Sequence, residues 1–337
     1  MTRYVRPVPQ TDPARPHDAY VLAGGWCWFT HVELLERGRT PRVLPASHVP
    51  PARLEPLIAA RPPVGTLAFH RPSIMGIINA TPDSFSDGGK HLRKDDAMAA
   101  AAGMAQADIL DVGGESTRPG AQPVSVDEEI QRILPLISAL RSAGVTQMIS
   151  VDTRKAVVAE AALSAGADLV NDVSGFKFDK ELAPLCGDRG APVCVMHAQG
   201  DPETMQDNPH YDDVLLDVYD ALDAQIRFLE ENGVPRARII ADPGIGFGKT
   251  LAHNMALLAR LSLFHGLGVP ILLGASRKGF IGKIADVPEA QERMPGSISV
   301  ALAALKHGTQ IVRVHDVPET AQAIALWQAV VAGNVHG

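Results

Sequence analysis

From residue 73 onward, short apolar runs alternate with longer segments in which apolar residues recur every three or four positions. Short apolar runs bounded by turn residues are typical of buried strands, and the longer spacing is typical of amphipathic helices. The pattern predicts eight strands, at residues 74–79, 108–112, 147–151, 169–172, 192–196, 238–241, 270–274 and 310–314. It predicts eight helices between and after them, at residues 95–106, 126–142, 155–165, 179–186, 212–231, 250–261, 297–307 and 317–331.

Eight strands that alternate with eight helices over roughly 260 residues predict an α/β fold, the (β/α)8 or TIM barrel. A doubly wound open sheet is the alternative, because it is built from the same strand–helix–strand units. The barrel is favoured, since no glycine-rich dinucleotide-binding turn follows the first predicted strand.

The first 72 residues differ in composition from the rest of the chain. They hold 12 of the 26 prolines, nine arginines, no lysine and five acids, a net charge of about +4 against about −11 for the remainder. We therefore expect a boundary near Pro72, with an N-terminal Pro/Arg-rich extension of unknown function at 1–72 and the barrel at 73–337. Within the extension, the pattern predicts a proline-rich tail at 1–18, a strand at 21–29 and helices at 31–37 and 52–60. Trp26 and Trp28 indicate that it packs against another surface.

Overall composition limits the classes of function. The net charge of −7 argues against nucleic acid as the main partner, and no apolar run approaches the length of a membrane helix. The three cysteines form no C-x-x-C pair, so they are expected to be buried thiols of a cytoplasmic protein.

A polar residue stands at the end of every predicted strand. In chain order these residues are Asn79, Asp111, Asp152, Asn171, His197, Asp242, Ser276 with Arg277 and Lys278, and Arg313 with His315 and Asp316. One such residue would be read as a helix cap. All eight strand ends being polar predicts instead a single site at the C-terminal rim of the barrel, where barrel enzymes place their chemistry.

The residue types at the rim indicate the ligand. Carboxylates, an amide and one ammonium suit a planar heterocycle that carries amino, ring N–H and carbonyl groups. Arg118, Arg313, His315 and nearby hydroxyls suit an anion, and the eighth strand end is a common phosphate position in barrels. The sequence therefore predicts a heterocycle deep in the mouth, with a phosphorylated arm above it.

The stretch 242–250 has one further interpretation. An acid at a strand end is followed by three glycines and by Lys249-Thr250, which looks like the end of a phosphate-binding loop. Pro243 stands where that motif needs its first glycine, so this alternative is less favoured.

Seven ordered motifs resemble those of the dihydropteroate synthase family over residues 73–331. They are I-M-G-I-I-N-A-T-P-D-S-F-S-D-G-G at 74–89, D-V-G-G-E-S-T-R-P-G at 111–120, S-V-D-T at 150–153, N-D-V-S-G at 171–175, D-P-G-I-G-F-G-K at 242–249, S-R-K at 276–278 and R-V-H-D at 313–316. The resemblance implies an enzyme of folate biosynthesis that joins p-aminobenzoate to the pyrophosphate ester of 6-hydroxymethyl-7,8-dihydropterin and releases pyrophosphate. It also implies Mg²⁺ as cofactor and a homodimer formed through the last helices, for which Val300, Ala304 and Trp327 are candidates.

The resemblance further implies roles for individual residues. The pterin would be held by Asp111, Asp152, Asn171, Asp242 and Lys278. The pyrophosphate would be held by Asn79, Thr117, Arg118, Arg313 and His315, with Asn79 also positioning the metal. The p-aminobenzoate would contact Phe85, Thr117, Phe247, Ser276 and Arg277. The residues expected to matter most for catalysis are Asp83, Arg118, Asp152, Lys278 and Arg313, of which Asp83 and Arg118 lie on two loops that would close over the site.

Three other functions share some of these features. A pterin-dependent methyltransferase would share the barrel and several pterin contacts but has no use for the anion-binding set. A metal-dependent barrel hydrolase would need His-x-His at the first strand end, where Asn79-Ala80-Thr81 stands. Only an activity assay distinguishes an inactive pterin-binding module from an enzyme.

Overall fold

The computed structural model describes residues 3–80, 99, 101–116, 123–200 and 205–333. Eight parallel strands form the central sheet, in the spatial order β11-β10-β9-β8-β7-β6-β13-β12. They are β6 Ser73–Asn79, β7 Ile109–Gly113, β8 Met148–Asp152, β9 Leu169–Asp172, β10 Val193–Met196, β11 Ile239–Asp242, β12 Leu272–Gly274 and β13 Ile311–Val314. A parallel bridge between Ala241 and Ile271 joins the two ends of the sheet. The sheet is therefore a closed barrel, as the strand count predicts.

Helices follow the strands on the outside of the barrel. Those described after β7 are α2 Val126–Ser142, α3 Ala156–Ser164, α4 Leu182–Arg189, α5 Val214–Glu231, α6 Leu251–Leu258, α7 Gly279–Ala285, α8 Met294–Lys306 and α9 Val317–Ala332. Side chains cap several N-termini: Ser125 accepts from the amide of Glu128, and Asp213 accepts from two amides of α5. Of the helix predicted at 95–106, the structure describes residues 99 and 101–106; residues 99 and 101–103 are helical, and 104–106 form a turn. Helix α7 was not predicted, since the interval between β12 and α8 was interpreted as a connection.

One side chain from each barrel strand forms a layer at the N-terminal end of the barrel. These eight are Met75, Ile109, Met148, Leu169, Cys194, Ile240, Leu272 and Ile311. Val64, Leu67 and Phe69 belong to the same apolar cluster and are almost fully buried. The end of the N-terminal region therefore closes the bottom of the barrel, so the rim at the opposite end remains for the site.

The N-terminal region is an ordered unit with its own apolar core. Its strands are β1 Tyr4–Pro7, β2 Tyr20–Val21, β3 Trp28–Phe29, β4 His31–Leu35 and β5 Arg42–Pro45, and its helix is α1 Pro51–Ile58. Strands β1, β4 and β5 form an antiparallel sheet, and β2 pairs with β3. Phe29, Leu57 and Val32 are fully buried in its core.

Three predictions for this region are wrong, and one is confirmed. Residues 31–37 are not a helix, because β4 pairs with β1 on one side and with β5 on the other. The residues of β1 are accordingly not a loose tail. The single strand predicted at 21–29 is broken, since Ala23 and Gly24 have φ of 53° and 71° and turn the chain between β2 and β3. The helix predicted at 52–60 is confirmed as α1.

Polar contacts join the N-terminal region to the barrel helices. The Tyr4 hydroxyl donates to Asp220 at 2.8 Å, and Trp26 Nε1 donates to the carbonyl of Leu305 at 2.8 Å. Trp26 also meets Trp327 edge to face, with ring centroids 6.4 Å apart. Ala304 is 1% exposed, so it is buried within the chain and is not available for the dimer contact that was expected of it. Within the described residues, no helix has the length and hydropathy needed to span a bilayer.

Candidate active site

Six of the predicted pterin and anion ligands meet at the C-terminal rim of the barrel. They are Asp111 on β7, Asp152 on β8, Asn171 on β9, Asp242 on β11, Lys278 after β12 and Arg313 on β13. The carboxyl ends of parallel strands lie at one edge, so a closed barrel brings these positions together from across the sequence. Hydrogen bonds join Arg313, Asp111, Asp152 and Asn171. Asp242 and Lys278 interact with each other and with Arg313 electrostatically.

Arg313 is the centre of this group. Its Nε donates to Oδ2 of Asp111 at 2.6 Å, and its Nη2 donates to Oδ2 of Asp152 at 2.7 Å. Although burial acts in the opposite direction, the two carboxylates hold the pKa of Arg313 above its ordinary value. Burial raises the pKa of Asp152 above the ordinary range, with Arg313 opposing this and Asp111 adding to it.

Only one of the two carboxylate oxygens of Asp111 accepts hydrogen bonds from the described residues. Its side chain is fully buried, and Oδ2 accepts from Asn171 Nδ2 at 3.2 Å as well as from Arg313. Oδ1 is buried and has no hydrogen-bond partner among the described residues. An unpaired buried acceptor is costly, so this atom is suited to an N–H group brought by a ligand.

Asp242 and Lys278 are two further buried ionisable groups of the mouth, and each influences the pKa of the other. Burial raises the pKa of Asp242, and the nearby ammonium of Lys278 opposes this shift. Burial lowers the pKa of Lys278 to about 8, and Asp242 opposes that shift in turn. Lys278 Nζ also donates to the carbonyl of Ile245 and lies 4.3 Å from the centroid of the Phe247 ring. Phe247 is therefore next to the rim, as expected of a residue that contacts the aryl substrate.

Ser276 connects the last two strand ends. Its hydroxyl oxygen lies 3.0 Å from Nδ1 of His315 and accepts from the backbone amide of His315 at 3.2 Å. Arg277 has a left-handed backbone, with φ of 57°, and its guanidinium pairs with Asp316. A non-glycine residue in this region of φ is unusual and is typical of functional sites. Arg277 is thus fixed beside the rim by its own carboxylate partner.

Asn79 is exposed at the end of β6. Among the described residues, no group of three or more His, Cys, Asp or Glu side chains could hold a metal ion. One exposed amide oxygen is enough for Mg²⁺ that arrives with a phosphorylated substrate. That ion keeps several waters and takes one or two protein oxygens plus phosphate oxygens. Asn79 can supply one amide oxygen of that kind.

Four predicted site residues lie outside the described part of the chain. They are Asp83, Phe85, Thr117 and Arg118.

Some polar residues near the rim serve the scaffold. Asp172 is fully buried and accepts from the amides of Ser174 and Phe176, so it closes the turn after β9, and its burial raises the pKa to about 6. His197 is 5% exposed, and burial together with Lys249 lowers its pKa to about 2. His197 therefore stays neutral, in agreement with the interpretation of it as a hydrogen-bonded rim residue.

The sequence pattern missed two features of the rim. Lys155 donates to Glu129 at 2.6 Å and lies 3.4 Å from Glu115, which also pairs with Arg154. The spacing along α2 gives no sign that Glu129 would be fully buried. Lys249, the second feature, turns into the protein instead of towards the rim.

A cavity of about 450 Å³ opens beside the charged group. Its described lining includes Phe247, and the other lining residues are on the loops after β8, β9 and β10. They include Arg154, Lys177, Phe178, His197 and Met205. The cavity is therefore on the flank of the mouth, and Arg313 with its two carboxylates occupies the mouth itself.

The fold and the rim define a barrel with a pterin-type site, and comparison with known proteins agrees. The profile of the family described as "Pterin binding enzyme" matches residues 75–315, so the chain belongs to that family. Within it, the chain is similar to dihydropteroate synthases. It is 45% identical to "Dihydropteroate synthase" of Escherichia coli K12 over 271 residues, which are 80% of this chain and 95% of that protein.

Solved structures extend this similarity to three dimensions. A dihydropteroate synthase of Yersinia pestis in a sulfonamide drug complex has a TM-score of 0.73 and 44% identity, covering 78% of this chain and 96% of that one. The Burkholderia cenocepacia enzyme complexed with 7,8-dihydropteroate has a TM-score of 0.71 and 44% identity, covering 79% and 94%. The family match begins at residue 75, within β6, so residues 1–72 lie outside it.

Proposed function

We propose that the chain condenses 6-hydroxymethyl-7,8-dihydropterin pyrophosphate with p-aminobenzoate, giving 7,8-dihydropteroate and pyrophosphate. One observation carries this proposal: Asp111, Asp152, Asn171, Asp242, Lys278 and Arg313 converge at the barrel mouth, with Oδ1 of Asp111 left unpaired. Family membership and the dihydropteroate synthase relatives support the same reaction.

The pterin binds through its polar edge. Asp242 is buried beside an ammonium, so its carboxylate can accept two N–H groups of the pyrimidine ring in a site with little water. Oδ1 of Asp111 and the amide of Asn171 complete the recognition of the heterocycle. Lys278 donates towards its carbonyl and ring nitrogens.

The pyrophosphate is the leaving group, and cations surround it. Arg313, His315 and Asn79 contact its oxygens, with Thr117 and Arg118 completing the set. Asn79 would hold Mg²⁺, which supplies Lewis-acid stabilisation of the departing oxygens when it is bound. Arg313 donates a hydrogen bond to Asp152, so its positive charge lies between the pterin and the phosphate arm and offsets negative charge there.

The chemistry is a dissociative displacement. The bond from the pterin methylene carbon to the pyrophosphate oxygen breaks first, and its electron pair leaves with the oxygen. The carbon becomes cation-like and the electron-rich reduced pterin shares that charge, which the carboxylate of Asp152 stabilises. The neutral amine of p-aminobenzoate then forms the C–N bond and loses one proton. An aryl amine needs no strong base at pH 7.

The aryl substrate binds next to Phe247. Ser276 and Arg277 face the same part of the rim, and Phe85 and Thr117 complete this subsite on the loops after β6 and β7. Asp83 and Arg118 are the two further residues expected to act in catalysis.

Incubation with both substrates tests the proposal. Mass spectrometry should detect 7,8-dihydropteroate with the native chain and not with Asp242→Ala. Absence of the product under conditions where the chain binds a pterin would contradict the proposed reaction and favour a pterin-binding module. Methylation of a corrinoid from a methylated pterin would instead favour the methyltransferase alternative.

We further propose a homodimer through the last helices. Leu326 and Val330 on α9 are 63% and 79% exposed, and they offer an apolar face next to the N-terminal region. We also assign the chain to the cytoplasm, because its three cysteines are buried and unpaired, as is usual where thiols are kept reduced.

A further inference from the structure

The side-chain nitrogen of Lys249 is buried, and within the described part of the chain no carboxylate forms an ion pair with it. Lys249 is 3% exposed, and its Nζ donates to the carbonyls of Gly244 at 2.8 Å and Phe247 at 3.0 Å. Nζ also lies 2.9 Å from Nδ1 of His197 and 3.3 Å from its carbonyl oxygen. These four acceptors use all three N–H groups of the ammonium, so Lys249 has none to offer a phosphate.

The acceptors of Lys249 belong to two different loops. Gly244 and Phe247 lie on the loop between β11 and α6, and His197 lies directly after β10. Nδ1 of His197 is within hydrogen-bond distance of Nζ, and burial lowers the pKa of His197, so the imidazole is neutral. Lys249 therefore links two neighbouring strand ends.

Every backbone carbonyl from 244 to 248 accepts a hydrogen bond from a side chain. The donors in order are Lys249, Lys278, Gln206, Lys249 again and Tyr211. The amide of Gly246 donates to Asn254 Oδ1 at 2.8 Å. The loop between β11 and α6 is thus held from several sides, and Lys249 alone supplies two of the five carbonyl contacts.

This loop sets the position of two groups of the proposed site. Phe247 is on it, and Lys278 reaches across to the Ile245 carbonyl and the face of the Phe247 ring. The backbone of Asp242 differs, since it belongs to β11 and pairs with Met196 of β10 in the sheet, although its Oδ1 accepts from the amide of Gly244 at 2.7 Å. Loss of the loop contacts should therefore displace Phe247 more than Asp242.

We propose that Lys249 is a positioning residue for the aryl substrate: by tying the loop 244–248 to His197, it fixes Phe247 and the Lys278 side chain in the geometry that receives p-aminobenzoate. The inference rests on the proposed function for the identity of the substrate. The positioning itself rests on the four contacts of Nζ.

The test compares Lys249→Met with Lys249→Gln and with Lys283→Met. Met fills the same space and removes every donor, whereas Gln keeps two N–H groups. Lys283 is an exposed lysine on α7 and serves as the matched control. We expect Lys249→Met to raise KM for p-aminobenzoate at least tenfold, with the Kd for the pterin substrate changed less than threefold. Lys249→Gln should recover part of the loss, and Lys283→Met should resemble the native chain.

A merely structural role gives a different result. It would lower kcat in proportion to the folded fraction and leave KM for p-aminobenzoate unchanged in both variants, and that result would overturn the proposal. A KM within twofold of the native value at normal kcat would overturn it equally. If Lys249→Met does not fold, Lys249→Gln carries the test, with a threefold or larger rise in KM expected.

Hydrogen exchange separates this inference from the proposed reaction. In the substrate-free protein, we expect amides 244–248 to exchange at least tenfold faster in Lys249→Met, while amides 239–242 of β11 keep their native rates. If the native chain makes no dihydropteroate, the proposed function is refuted. The exchange difference between Lys249→Met and the native chain is still expected in that case. Unchanged exchange in an active enzyme would refute the role of Lys249 alone.

Discussion

Arg313 Nε donates to Oδ2 of Asp111 at 2.6 Å, although 202 positions separate the two residues along the chain. The contact exists because β13 and β7 both pair with β6, one on each side, in the closed barrel. It places a permanently charged guanidinium against a fully buried carboxylate at the centre of the rim. The charged group in the mouth is therefore a direct product of barrel closure.

Arg313→Met should destabilise the fold more at high pH than at low pH. The change leaves Asp111 and Asp152 buried without their cation, and removal of one partner from a buried ion pair costs about 3–5 kcal/mol. Protonation relieves that cost, and the pKa of Asp152 is already raised by burial. Urea unfolding at pH 8 and at pH 5 measures the difference in the free energy of unfolding.

The control for that experiment is Arg39→Met. The Arg39 side chain is 60% exposed in its pair with Glu36, so the change should cost under about 1 kcal/mol at either pH. An equal loss at both pH values for Arg313→Met, or one as small as the control, would contradict the arrangement.

Asp242→Ala should lower pterin affinity or turnover by about 10⁴-fold. Sites built to pair a buried acceptor with ligand N–H groups discriminate by roughly that factor when the pairing is lost. Isothermal titration with the pterin substrate and steady-state kinetics measure the two quantities. Asp212→Ala is the matched control, since that side chain is 93% exposed. A loss under tenfold would show that Asp242 does not bind the pterin.

Activity should fall on the alkaline side with an apparent pKa near 8. Burial lowers the pKa of Lys278 to about 8, and above that pH its amine no longer supplies a charge to the site. The profile of kcat/KM against pH measures this limb. In Lys278→Arg the limb should disappear, even at lower activity, because a guanidinium stays protonated throughout this range.

Loss of stability does not produce the same limb. The folded pKa of Lys278 lies below its unfolded value of 10.5, so between about pH 8 and 10.5 the unfolded chain binds more protons. The contribution of Lys278 to the free energy of unfolding therefore rises with pH in this window. An alkaline limb that persists unchanged in Lys278→Arg would assign it to another group.

The N-terminal region should unfold together with the barrel. Phe29 is fully buried in its core, and Val64, Leu67 and Phe69 belong to the apolar layer under the barrel strands. Phe29→Ala should lower the free energy of unfolding of the whole chain by about 3–5 kcal/mol. Tryptophan fluorescence and circular dichroism should give coincident transitions.

The exposed Val43 provides the control for Phe29. Its side chain is 65% exposed on β5, so Val43→Ala should change the free energy of unfolding by under about 0.5 kcal/mol. Two separate transitions for Phe29→Ala would show that residues 1–72 are an independent domain.

The barrel could be predicted from the sequence because its signal is local and repeated. Each strand is a short apolar run with a polar residue at or just beyond its end, and β8, β9 and β10 are buried along their whole length. The N-terminal region could not be predicted in the same way. In β4 the order His31, Val32, Glu33, Leu34, Leu35 suits a helix as well as a strand, and only pairing with β1 and β5 decides between them.

The position of several polar residues at the rim was predictable, but their contacts with one another were not. Strand-end positions brought Asp111, Asp152 and Asp242 to the rim as expected. The sequence does not say which carboxylate meets which cation, so the contact of Arg313 with Asp111 and Asp152 was not predicted. Lys249 was considered as a phosphate ligand, and its inward direction depends on carbonyls of two loops that only the fold brings together.

Pyrophosphate release is the measurement that tests the central claim most directly. The native chain should release one pyrophosphate per dihydropteroate formed, only when dihydropterin pyrophosphate, p-aminobenzoate and Mg²⁺ are all present. Release that continues without p-aminobenzoate, or no release from a folded chain that binds the pterin, would contradict the claim that this rim joins the two substrates.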